Sequence, residues 1–229
     1  MKNKSTILKA SLTLLLAIII SSAFAQTPFS GPSDAVTAPP ATAASVSQVI
    51  CSGSQIQLKT TATAGYTYQW YKKNPAGGAM QLVQDGTSNT YTETPSGAGY
   101  YTYQLVEINS NGCTSISSDP FNIFVLPPIT AGITATNGAT VCASGQTSST
   151  LSATPVNGSG YTYTYQWTRN GSAIAGATAS TYTVTETTAG SVTFGVTVAY
   201  TLNGSCSSSA TQTITVIAVP TKPVIITGP

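Results

Sequence analysis

Four cysteines, six carboxylates and no histidine make up the reactive side chains of this 229-residue chain. Without His there is no Ser-His-Asp or Cys-His machinery, and a zinc site would lack its commonest nitrogen ligand. A carboxylate pair for glycoside-type acid–base chemistry must face across a cleft. Only Asp85, Glu93, Glu107 and Asp119 are available for one, because the second half of the chain holds Glu186 alone. No Gly-x-Gly-x-x-Gly or Walker-type loop is present to cradle a phosphate. Asp119 with backbone carbonyls offers a calcium ion a single acid, too few for tight binding. The expectation is a chain with no catalysis, no cofactor and no metal.

The cysteines sit in a near-repeat. Tyr66-Thr67-Tyr68-Gln69-Trp70 returns as Tyr161-Thr162-Tyr163-Thr164-Tyr165-Gln166-Trp167. Cys51 and Cys113 bracket the first copy, and Cys142 and Cys206 bracket the second. One Trp and one Cys pair per copy indicate a modular molecule. In an exported chain, four cysteines read as two disulfides. The simplest pairing stays within each module: Cys51 with Cys113, and Cys142 with Cys206. Closing loops of that size would stabilise each module by about 4 kcal/mol on the chain-entropy account.

Export is written into the N-terminus. Lys2, Lys4 and Lys9 flank an apolar run from Leu12 to Ile20, and Ala23-Phe24-Ala25 is a small-x-small cleavage site. Residues 1–25 therefore read as a signal peptide, and the mature chain starts at Gln26. No cysteine follows the cleavage point to take a lipid. The five remaining basic residues, Lys59, Lys72, Lys73, Arg169 and Lys222, nearly balance the acids. No basic patch is available to grip phosphates, which argues against nucleic acid. Such poverty of charge does not imply disorder, because Tyr, Val, Ile and Leu are plentiful and patterned.

Positioning these residues requires strands. Residues 26–44 are rich in Pro, Ala, Ser and Thr and read as a linker. Beyond it, period two dominates. Gln55 to Lys59 alternates, Tyr68 shares a face with Trp70, and Tyr165 shares one with Trp167. Tyr101, Tyr103 and Leu105 correspond to Val192, Phe194 and Val196. Asp85-Gly86, Asn111-Gly112, Asn170-Gly171 and Asn203-Gly204 are hairpin signals. Asn157-Gly158-Ser159, Asn170-Gly171-Ser172 and Asn203-Gly204-Ser205 match the glycosylation sequon, but are read as turns with Gly in the left-handed position. Pro127-Pro128 interrupts the pattern. The fold class expected is all-β: tandem sandwiches over residues 45–126 and 127–219, then a linker or the start of a further module at 220–229.

In each copy a Cys by a small-residue turn, Tyr-Gln-Trp, Thr-Tyr-Thr, Gly and a hairpin Cys follow in order. They run through Cys51, Trp70, Thr90-Tyr91-Thr92, Gly99 and Cys113, then through Cys142, Trp167, Thr181-Tyr182-Thr183, Gly190 and Cys206. This pattern resembles the bacterial immunoglobulin-like repeats of adhesins and type IX-secreted surface proteins. The resemblance implies tandem immunoglobulin-like β-sandwiches, extracellular or at the outer cell surface, serving as spacer or binding modules. It implies Trp70 and Trp167 as core aromatics. It also departs from antibody-type domains, because Cys51 precedes the strand that normally carries the first cysteine. Cys113 and Cys206 fall after a hairpin, at the opposite end of a simple sandwich.

Partners expected for such a chain are a protein or a glycan at the cell surface, or a second chain pairing through edge strands. Tyr71, Tyr91, Tyr100, Tyr182 and Tyr200 are candidates for stacking a sugar if they lie on outer faces, although strand propensity also accounts for them. A non-catalytic appendage of a larger secreted hydrolase is the alternative role. A small-ligand binding module ranks last, since a small sandwich rarely encloses a pocket.

Overall fold

The computed structural model describes residues 38–225 and 227, apart from residue 76, 144–147 and 157–159. The expected signal peptide, most of the expected 26–44 linker and the expected Asn157 turn lie outside the described residues.

The first module holds seven strands: β1 (Gln48–Ile50), β2 (Ile56–Lys59), β3 (Thr67–Asn74), β4 (Gly77–Gly86), β5 (Thr90–Glu93), β6 (Gly99–Ile108) and β7 (Phe121–Val125). They form a five-stranded sheet in the order β1-β7-β6-β3-β4 and a two-stranded sheet, β2-β5. β1 joins β7 in parallel, and the remaining pairs of that sheet run antiparallel. The alternating residues of β3 and β6 point into the gap between the sheets. Tyr68, Trp70, Tyr101, Tyr103 and Leu105 are buried there with Ile50, Ile56, Tyr91, Ile123 and Val125.

The second module repeats the plan with β8 (Ile133–Ala135), β9 (Thr140–Cys142), β10 (Thr150–Ala153), β11 (Tyr163–Arg169), β12 (Ser172–Ala173), β13 (Thr181–Thr183), β14 (Gly190–Tyr200) and β15 (Ser207–Ile217). Its large sheet runs β12-β11-β14-β15-β9, and β9 again pairs in parallel. Its small sheet has three strands, β13-β10-β8. Trp167, Leu151, Val192, Phe194, Val196, Val198 and Ile214 form its core. The hydroxyl-rich outer face is laddered across strands, as between Thr197 and Ser209 at 2.9 Å.

The hairpin signals divide. Gly112 and Gly171 occupy positive φ, 81° and 83°, and Asn170 accompanies Gly171 at 47°, the geometry a tight hairpin requires. Asp85-Gly86 is no turn: both residues stay in the ladder, opposite Gln69 and Tyr68, and the hairpin closes instead between Asn74 and Gly77. At Asn203 the turn is held by the Asn side chain, whose Oδ1 accepts the Ser205 N–H at 3.1 Å, and Gly204 is not left-handed.

A third apolar cluster belongs to neither sandwich. Val49, Phe124 and Leu126 of the first module meet Tyr200 and Cys206 of the second, with Tyr100, Tyr161, Tyr163 and Leu202 around them. The end of the linker folds onto this joint: Pro40 is buried, and the Tyr100 hydroxyl donates to the Ala38 carbonyl at 3.1 Å.

Candidate functional site

The joint carries the covalent chemistry. The disulfide links Cys51 to Cys206, with Cα atoms 5.2 Å apart and a sequence separation of 155. This corrects the expected pairing of Cys51 with Cys113 and of Cys142 with Cys206. The reason is strand length. Cys51 follows β1 beside the Gly99 end of β6, whereas Cys113 follows the other end at Ile108. β6 spans roughly 30 Å between those ends, far beyond the ~7 Å that a disulfide tolerates.

Register makes the cysteines equivalent in pairs. Val125 lies between Ile50 and Gly99, as Val216 lies between Val141 and Gly190, so Cys51 matches Cys142. Trp70 faces Leu105 and Trp167 faces Val196. Four residues further on, the N–H groups of Asn109 and Tyr200 donate to the carbonyls of Cys113 and Cys206. The bridge therefore joins the strand cysteine of the first module to the hairpin cysteine of the second. Cys113 is exposed at the outer hairpin, and Cys142 is half-buried at the end of β9.

Hydrogen bonds reinforce the joint. Asn203 Nδ2 donates to the Val49 carbonyl at 2.9 Å, and the Tyr200 hydroxyl donates to the Pro127 carbonyl at 3.2 Å. Tyr161 and Tyr163 pack their rings against Tyr200 at 5.2 and 5.3 Å.

The nominated tyrosines do not form an outer platform. Tyr91 is 8% exposed and sits in the core between Trp70 and Tyr103. Tyr200 is 1% exposed in the joint. Tyr100 lies against Phe124, and Tyr182 lies between Trp167 and Phe194. Tyr71 is half-buried on the opposite face of β3 from Trp70, with its hydroxyl donating to Gln69 Oε1. The period-two pattern marked these rings as strand residues but could not say which outward faces another element covers.

Four of the carboxylates have side-chain partners. Glu93 receives Lys72 Nζ at 2.6 Å, the Tyr91 hydroxyl at 2.9 Å and the Tyr103 hydroxyl. Burial alone would push the Glu93 carboxyl upward; these donors and the Lys72 charge outweigh it and hold the group below the usual carboxylate range. Burial, then the bond to Glu93, raises both phenols well above their ordinary value. Lys72 also lies 5.0 Å from the centre of the Tyr101 ring. Glu107 accepts from Thr60, Asp85 from Gln69, and Glu186 pairs with both donors of the Arg169 fork. Among the described residues no group of three His, Cys, Asp or Glu is placed to hold a metal.

The two tryptophans differ. Both are buried, 5% exposed for Trp70 and 0% for Trp167. Trp167 Nε1 donates to the Ala179 carbonyl at 2.9 Å, while Trp70 Nε1 is buried with no partner among the described residues. Trp70 lines an open cleft of about 490 Å³ with Leu58, Thr60, Tyr103, Gln104 and Phe121. No sequence signal distinguished the two indoles, because the difference lies in what flanks β2 and β10.

Residues 39–127 match the family described as "Ig-like domain CHU_C associated". No curated protein matches the chain. Among solved structures, the fibronectin(III)-like modules of Clostridium thermocellum CbhA share 15% identity, over 80% of this chain and 96% of that one, at a TM-score of 0.42. A marsupial T cell receptor gives 11% identity over 77% and 73%, at 0.47. A structure described as "host cell surface retention of a 1.5-MDa bacterial ice-binding adhesin" gives 16% over 74% and 60%, at 0.31. With two sheets packed on a Trp and a parallel edge strand in each half, the chain is built of tandem Ig-like sandwiches, and the first of them spans the residues that match the CHU_C-associated Ig-like family.

Proposed function

We propose that this chain is a non-catalytic spacer of an exported, cell-surface protein, in which two Ig-like modules are locked end to end to hold neighbouring elements at a set distance. The Cys51–Cys206 bridge across the module joint carries this reading. A bridge inside a module stabilises a fold; one between modules fixes their relative direction, which a spacer needs and an independently binding module does not. The apolar joint and the linker docked beside it work in the same sense. Export is supported by the N-terminal sequence and by the oxidised cysteine pair.

Small-angle X-ray scattering of the mature chain tests the proposal. The oxidised protein should give one extended shape, and Cys51→Ser should give a broader distribution of end-to-end distances. Identical broad distributions for both proteins would remove the spacer reading.

A further inference from the structure

The two modules differ at one edge. In the second, β10 is paired on both sides, with β13 and with β8. The β8 ladder extends beyond the strand itself: Thr136 N–H donates to the Thr150 carbonyl, Gly132 and Thr154 exchange both bonds, and Val156 N–H reaches Thr130. Ile133 and Ala135 pack against the core, and β8 lies over β15. In the first module the equivalent strand, β2, is paired among the described residues with β5 alone. The 490 Å³ cleft occupies the place that β8 fills, between β2 and the β6–β7 face.

Three features of that cleft are unfinished. Trp70 Nε1 is buried beside it with no acceptor, which costs stability unless a partner arrives. Phe121 stays 41% exposed at its rim. Among the described residues, one edge of β2 has no main-chain partner.

We propose that this edge is a strand-acceptor site, and that its occupant is the Val224–Thr227 segment of a second copy of the chain. That segment, Pro223-Val224-Ile225-Ile226-Thr227, has the character of the stretch Pro128-Ile129-Thr130-Ala131-Gly132-Ile133 that leads into β8. Val224 is 83% and Ile225 97% exposed, with no regular partner. β-Branched residues at this exposure suit a strand that finds its sheet on another molecule. Reach excludes the same chain. β15 carries the chain away from the joint for about 37 Å. The seven residues from Ile217 to Val224 span at most about 25 Å, less than the return to the joint alone. The donor therefore comes from a neighbour. Because acceptor and donor are different surfaces, the contact is head-to-tail and propagates into chains of molecules.

The mature chain from Gln26 onward is followed by sedimentation over a range of concentrations, beside Ile225→Pro. Proline removes a ladder donor from an exposed segment and leaves both sandwiches intact. Wild type should associate, and the variant should do so about tenfold or more weakly. A synthetic peptide of residues 220–229 added to the variant should shift the indole N–H resonance of Trp70 and leave that of Trp167 in place. Absence of association in wild type, association that survives Ile225→Pro, or a peptide that moves Trp167 or neither indole overturns the proposal. Any of these leaves the spacer reading standing, since that reading rests on the module joint.

Discussion

Two indoles in matched positions have unmatched environments, and that difference is measurable. Trp167→Phe deletes a hydrogen bond and strands the Ala179 carbonyl, whereas Trp70→Phe deletes an N–H that has no partner. The loss of stability should be larger at Trp167 by about 1 kcal/mol, read from urea unfolding of each variant. Glu93 has its own signature. Its carboxyl is held below the ordinary range, so its contribution is present above the unfolded-state value and is lost as pH falls through the folded one. Glu93→Gln should be less stable at neutral pH and lose less on acidification below about pH 4.5. The raised phenols of Tyr91 and Tyr103 act at the other end. Their contribution is complete below the unfolded tyrosine value near pH 10 and drains away above it. Thermal melts from pH 2 to pH 11 check both limbs.

Between elements, β6 and β14 decide which cysteines can meet. Each runs the full height of its sandwich, so each separates its module's own strand and hairpin cysteines. The joint then brings the strand cysteine of one module against the hairpin cysteine of the next. Peptide mapping without reductant should recover a Cys51–Cys206 crosslink, and Cys113 should alkylate readily in the folded protein. A Cys51–Cys113 peptide would refute the joint as described here. The same elements explain the cleft: β2 and β10 are equivalent, but among the described residues only β10 is preceded by a stretch that lies down beside it.

For the molecule as a whole, the bridge encloses a 155-residue loop, worth about 5 kcal/mol on the chain-entropy account. That energy couples the modules rather than either core, because the two cores are separate clusters. Calorimetry of the oxidised protein should show one joint transition, and Cys51→Ser should resolve two. Tyr200→Ala empties the centre of the joint and should cost about 3 kcal/mol while leaving the first core intact.

Much of the architecture was legible without coordinates. Period-two alternation around Trp70 and Trp167 fixes inward and outward faces, because side chains on a strand alternate by geometry. The repeat points to two copies of one plan, because each copy carries its own Tyr-Gln-Trp strand. Tertiary structure alone decided the rest. The partner of Cys51 lies 155 residues away because strand length and module order, not local spacing, determine which thiols approach. Tyr91 and Tyr200 are buried because a facing sheet and a neighbouring module cover them, and no local pattern reports what lies opposite a strand. The open β2 edge is of the same kind: pairing is a relation between distant segments, and a sequence states only each segment's readiness to pair.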